Sequence, residues 1–106
     1  MIYEAKYSKL AIRDLDRVYF EVFEASKDYD TTKNYINELM NKAESFSKHP
    51  KTGIPLYYEN NFTGYYYTQF KAYIIFYRIE KQSLLIDRIL YGKSDYMRTL
   101  FKNITD

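Results

Sequence analysis

The stretch AYIIFYRIEKQSLLIDRILYG, residues 72–92, decides how this chain folds. In AYIIFYRI, the side chains that alternate to either side of an extended backbone are largely apolar on both sides, so the segment reads as a central strand covered on both faces. EKQS supplies a polar turn. LLIDRILY is then a second strand, with Asp87 among apolar neighbours and Arg88 expected on the opposite face by simple alternation. Upstream, Tyr65 to Phe70 is dense in aromatic residues and reads as a third strand, which makes a three-stranded antiparallel meander. Downstream, Gly92 is expected to let the backbone turn, and Met97, Leu100 and Phe101 fall at helical spacing, so the chain closes on a short helix.

On the N-terminal side, IYEAKY (2–7) alternates as a first strand, with Ile2, Glu4 and Lys6 facing one way and Tyr3, Ala5 and Tyr7 the other. Ser8 is a candidate helix cap. After it, Ala11, Leu15, Val18, Tyr19, Val22 and Phe23 form an apolar stripe, with Arg13, Asp14, Arg17, Glu21 and Glu24 placed around the outside. SKDYDTT interrupts this helix of about five turns, and Asp30 or Thr31 can cap a second helix carrying Ile36, Leu39, Met40, Ala43 and Phe46. HPKTGIP, with two prolines and a glycine, ends it. The order is strand, helical hairpin, meander and short terminal helix: one α+β domain over residues 1–106 with its helices packed on one sheet face.

The chain has no cysteine, which excludes thiolate chemistry and thiolate metal sites and is compatible with the cytoplasm. The N-terminus lacks the apolar core of a signal peptide, and no stretch is apolar for long enough to span a bilayer, so neither secretion nor a membrane is expected. Net charge is only +2. Its distribution is uneven: the first 61 residues carry nine basic and ten acidic side chains, the last 45 carry seven and four. Tyrosine is the larger anomaly, at 14 residues with no tryptophan. An apolar ring with a polar tip suits both a core with wet edges and a contact surface.

The sole histidine, His49, precedes Pro50 in a turn and is a poor general base. No His or carboxylate pair has metal-ligand spacing and no glycine-rich phosphate loop is present, so no metal and no cofactor are expected. Catalysis would have to rest on Lys, Arg, Tyr and Glu. Arg78 and Arg88, each inside an apolar strand, either reach a surface or pair with a carboxylate such as Asp87 or Glu80.

The stretch GYYYTQFKAYIIFYRIEKQSLLIDRILYGKSDYMRTLF, together with a first strand running into YSKLAIRDLDRVYFEVFEAS, resembles the RelE/ParE superfamily of toxins from bacterial type II toxin-antitoxin (plasmid stabilisation) modules. RelE-like members carry an arginine directly after the aromatic residue that opens the third strand; here Tyr73 is followed by Ile74, and Lys71 is the lone basic residue just before. The run Asp95, Tyr96, Met97 after the last strand is similar to ParE-like tails. The resemblance therefore implies a ParE-like toxin that arrests growth by binding an essential target, with DNA gyrase a candidate, and that is neutralised by a cognate antitoxin. It implies no catalytic residue, no membrane, and no sequence-specific DNA binding by the toxin alone. The expected contact residues are Arg78, Arg88, Tyr91, Lys93, Asp95, Tyr96, Met97, Arg98 and Phe101, with the tail adding little to the core. The alternative is a RelE-like, ribosome-dependent mRNA endonuclease using Lys71, Arg78, Arg88 and Tyr91.

Overall fold

The computed structural model describes residues 2–101. Strand β1 (Glu4–Tyr7) leads into helices α1 (Lys9–Ser26) and α2 (Tyr29–Glu44). Two 3₁₀ turns, Ser45–Ser47 and Pro50–Thr52, then lead into β2 (Ile54–Tyr58), β3 (Asn61–Phe70), β4 (Tyr73–Glu80), β5 (Ser83–Tyr91) and α3 (Tyr96–Leu100). The strands form one sheet in the order β1-β5-β4-β3-β2, with β1 parallel to β5 and the others antiparallel. AYIIFYRI is thus the central strand, as its two apolar faces require.

Ser8 caps α1 by accepting the Ala11 N–H at 3.0 Å. Asp28, rather than Asp30 or Thr31, caps α2: its carboxylate accepts both the Thr31 N–H and the Thr31 hydroxyl. A shorter connection from Lys27, at a left-handed φ of 55°, makes the earlier residue the cap. The meander has four strands, not three. IPLYY contains Pro55, which reads as a breaker in isolation but is tolerated in β2 because β2 is an edge strand.

Each sheet face carries its own core. Ala11, Val18, Leu39, Ala43, Ile75, Tyr77, Leu84, Ile86 and Ile89 lie between the sheet and the α1–α2 hairpin. Leu56, Ile74, Phe76, Leu90 and Phe101 form a second cluster with Tyr65, Tyr67, Tyr96, Met97 and Leu100, so α3 packs on the face opposite the two long helices.

Strand β1 is shorter than β5, and α1 completes the uncovered edge. The Ser8 N–H and hydroxyl donate to the Ile86 and Asp87 carbonyls, Asp14 accepts the Ile89 N–H at 2.9 Å, and Arg17 donates to the Ile89 carbonyl at 2.8 Å. Helix side chains here do the work of a missing strand, leaving these backbone groups paired.

At Gly53 the reason for glycine is close approach. Its N–H donates to the Tyr77 hydroxyl at 3.0 Å, the same hydroxyl donates to the Pro50 carbonyl, and an added Cβ would collide with the buried Tyr77 ring. Gly53→Ala is expected to destabilise the fold by about 1–3 kcal/mol in a urea melt; an unchanged midpoint would mean that the Tyr77 contact does not hold this turn. Gly92 lies in the expected turn, closed by the Ser94 N–H donating to the Tyr91 carbonyl at 3.0 Å, without a positive φ; its own N–H donates to the Ala72 carbonyl at 2.8 Å, where an added Cβ would be tight.

Candidate target-contact face

Residues expected to act together are sorted by an irregularity in β5. Tyr77 pairs with Ile86, whereas Phe76 pairs with Arg88, so Asp87 is an extra residue bulged out of the β4–β5 ladder. The alternation resets at the bulge. Asp87 and Arg88, expected on opposite faces, therefore both serve the α3 side: Asp87 accepts a hydrogen bond from Tyr65, and Arg88 sits opposite Phe76.

Arg88 does not present its charge to a partner. Its guanidinium reaches round the β5 edge and binds Asp14 through two bonds, Nε to Oδ2 at 2.8 Å and Nη2 to Oδ1 at 3.0 Å. Asp14 is 2% exposed, although the helical pattern placed it on the outside. Burial alone would raise its pKa, but Arg88, the Ile89 N–H and Arg17 together hold the carboxyl below its ordinary value. Arg88 in turn is held above its own by the Asp14 bonds. The expected contact residue is thus a structural one, a bidentate ion pair that pins α1 to β5.

Arg78 behaves differently. It pairs across the sheet with Tyr65 and Leu85, lies 5.8 Å from the Tyr65 ring centroid, and meets Glu80 and Asp87 only at 3.7 and 3.9 Å. Its side chain is 45% exposed, so its charge is available to an anionic group. Burial and then the Asp87 carboxylate push the Tyr65 hydroxyl up to about 12, so it remains a proton donor near neutrality.

The tail separates into buried and open positions. Asp95 caps α3, its carboxylate accepting the Arg98 N–H. Lys93, Asp95 and Arg98 are exposed, while Tyr96 and Met97 are half-buried, the Tyr96 ring 5.5 Å from that of Phe76. Phe101, expected in the contact surface, is 6% exposed, with its ring against Tyr58 and Tyr65 at 5.7 and 6.0 Å. It is a core residue. Tyr91 packs edge-on against Tyr73, on the helix side of the sheet, and is 43% exposed.

The alternative catalytic set is not brought together. Lys71 lies in the β3–β4 turn beside Glu38 and over the Tyr35 ring, and Tyr91 lies on the helix side. Arg78 faces the other side, five residues along β4 from Tyr73, or roughly 16 Å at strand rise. With Arg88 bonded to Asp14, these four side chains do not meet at one point in this structure. Among the described residues no group of three or more His, Asp or Glu side chains could hold a metal ion, and no helix is long and apolar enough to cross a membrane.

The model of the ParE toxin of type II toxin-antitoxin systems matches residues 5–96. This chain belongs to the ParE toxin family. The matched span contains all but the first residue of β1, the helical hairpin, the whole meander and the first residue of α3. Two solved structures share the fold of this ParE-family toxin. One is the chromosomal ParDE toxin-antitoxin system from P. aeruginosa, with a TM-score of 0.69, 14% identity, and coverage of 85% of this chain and 96% of that one. Another is the toxin-antitoxin complex RelBE2 from Mycobacterium tuberculosis, with a TM-score of 0.57, 20% identity, and coverage of 86% and 99%. No curated protein matches the sequence.

Proposed function

We propose that this ParE-family toxin arrests bacterial growth by holding an essential target, with DNA gyrase the first candidate, and that a cognate antitoxin neutralises it. The reading rests on the family match over residues 5–96. Support for binding over catalysis comes from the separation of Lys71, Arg78 and Tyr91 on two sheet faces and the occupation of Arg88 by Asp14. Both solved relatives are toxin-antitoxin systems or complexes, which supports an antitoxin as partner here. Arg78 on the α3 face, and Lys93 and Arg98 in the tail, are exposed cations through which a target would be engaged.

Induced expression is expected to stop growth, and the purified toxin is expected to inhibit gyrase supercoiling while producing no codon-positioned cuts in a translating extract. Normal supercoiling together with mRNA cuts that vanish on Arg78→Ala would replace this reading with the endonuclease one.

A further inference from the structure

The connection between α2 and β2 carries positive charge without a counter-charge. Across residues 45–58 the chain holds two lysines, one histidine and no carboxylate. Lys48 and Lys51 are in none of the ion pairs among the described residues. The nearest carboxylate before them, Glu44, already accepts the Tyr7 hydroxyl at 2.6 Å, and Glu4 points to the sheet face opposite its neighbour Tyr3. The basic side chains converge on a cavity of about 440 Å³ walled by Tyr3, Lys48, His49, Pro50, Lys51 and Thr52. Small-molecule sites have volumes of roughly 300–1,000 Å³, and no acidic residue lines this one.

Its walls are fixed by hydrogen bonds that lead into the core. The fully buried Tyr77 donates its hydroxyl to the Pro50 carbonyl at 2.7 Å and accepts the Gly53 N–H at 3.0 Å, so the turn carrying Lys51 is anchored from beneath. The Thr52 N–H and hydroxyl both donate to the His49 carbonyl, at 3.1 and 2.7 Å. On the other wall the Tyr3 N–H donates to the Ser47 carbonyl at 2.9 Å, and the half-buried Tyr3 side chain packs on the helix-side core. A ligand therefore meets a backbone frame that needs no ordering before it binds.

We propose that this cavity binds a nucleoside phosphate, the phosphate held by Lys48 and Lys51 and the base laid against the Tyr3 ring. Neighbouring ammonium groups repel one another, and a phosphate between them removes that repulsion while accepting charge-assisted hydrogen bonds from both. The tyrosine ring beside them offers a flat apolar surface on which any base can stack. The same base and phosphate are presented by a free nucleotide and by one unit of a single-stranded nucleic acid. The cavity lies on the helix side of the sheet and Arg78 on the other, so it is separate from the face proposed above for the target.

The test titrates the full chain with AMP, adenosine, inorganic phosphate and a short single-stranded oligodeoxynucleotide, following backbone amide shifts by NMR and affinity by calorimetry. AMP is expected to bind saturably, to move the amides of Tyr3, Lys48, Lys51 and Thr52, and to bind at least about 10-fold more tightly than adenosine or phosphate alone. Lys48→Ala with Lys51→Ala should melt like the parent and bind at least about 10-fold more weakly. Tyr3→Leu keeps an apolar side chain on the core and should lose about 5-fold or more. The control Lys9→Ala with Lys33→Ala, at exposed lysines of the two long helices, should bind as the parent does. An oligonucleotide that moves the same amides and binds more tightly than AMP supports the proposal with a nucleic-acid strand as the source, whereas AMP binding at least as tightly supports it with the free nucleotide. Phosphate binding as tightly as AMP would remove the base and overturn the nucleoside assignment. An equal loss in the Lys9, Lys33 control would show a general attraction of anions to the chain and overturn the proposal, as would a parent in which neither AMP nor the oligonucleotide moves these amides.

Discussion

Replacing Asp14 by alanine is expected to cost about 3–5 kcal/mol, enough to unfold a substantial fraction of a domain whose total stability is of order 5–15 kcal/mol. One carboxylate accepts from Arg88 twice, from Arg17 at 2.9 Å, and from the Ile89 N–H. Removing it strands a half-buried guanidinium and a backbone donor of β5 together, and the penalty is the desolvation of groups left without partners rather than the worth of the pair. Chemical denaturation measures it; a loss below about 1 kcal/mol would mean that water or a neighbouring side chain replaces the carboxylate. Arg17→Ala serves as the graded control, since Arg17 is 40% exposed and its bond to Asp14 is one of four. It should cost clearly less.

The same carboxylate sets an acid limit. Its folded pKa lies below its unfolded value, so the stability it contributes is complete above the unfolded pKa, near 4, and is lost as pH falls through the folded one. The melting temperature of the parent should therefore drop on going from pH 5 to pH 3 more steeply than that of Asp14→Ala, which has no such carboxylate to protonate. Parallel pH profiles would show that other carboxylates govern acid unfolding.

Neither Asp14 nor the bulge could be read locally. The first helix was legible because its stripe, its cap at Ser8 and its length all agree, and the central strand was legible because AYIIFYRI has no polar face to solvate. Asp14 is polar, and polarity alone sends a residue outward. Its spacing from the buried Ala11 and Val18 was the available signal: a carboxylate at i+3 and i−4 from two core positions lies on the inner stripe. The bulge depends on what faces β5 from the neighbouring strand, so strict alternation placed Arg88 by a rule that the extra residue suspends. Strand β2 was hidden by Pro55, whose cost depends on whether a strand lies at the edge, and that is fixed only when the sheet is assembled. The burial of Phe101 is illegible for a similar reason: it depends on an apolar patch formed by β2, β3, β4 and β5 together.

Phe101→Ala carries the second large effect, about 3 kcal/mol of lost stability, and it decides how experiments on the tail are to be read. The ring closes the cluster of Leu56, Ile74, Phe76 and Leu90 on the side of the sheet that the long helices do not reach, and it touches Tyr58 and Tyr65. Its removal leaves a cavity whose walls belong to four different strands, so the sheet cannot collapse to fill it without breaking its ladder. Loss of toxicity in Phe101→Ala, or in any chain shortened before it, therefore reports loss of fold and says nothing about contact. Arg98→Glu is the informative substitution. Arg98 is exposed on α3, its side chain is in none of the ion pairs among the described residues, and reversing it should move stability by no more than about 0.5 kcal/mol. If α3 presents a basic contact, Arg98→Glu should relieve growth arrest at an unchanged melting temperature, while Phe101→Ala relieves it only where the protein melts. If Arg98→Glu leaves both growth arrest and melting unchanged, α3 is a plug for the second core, and Arg78 and Lys93 are left as cations to test.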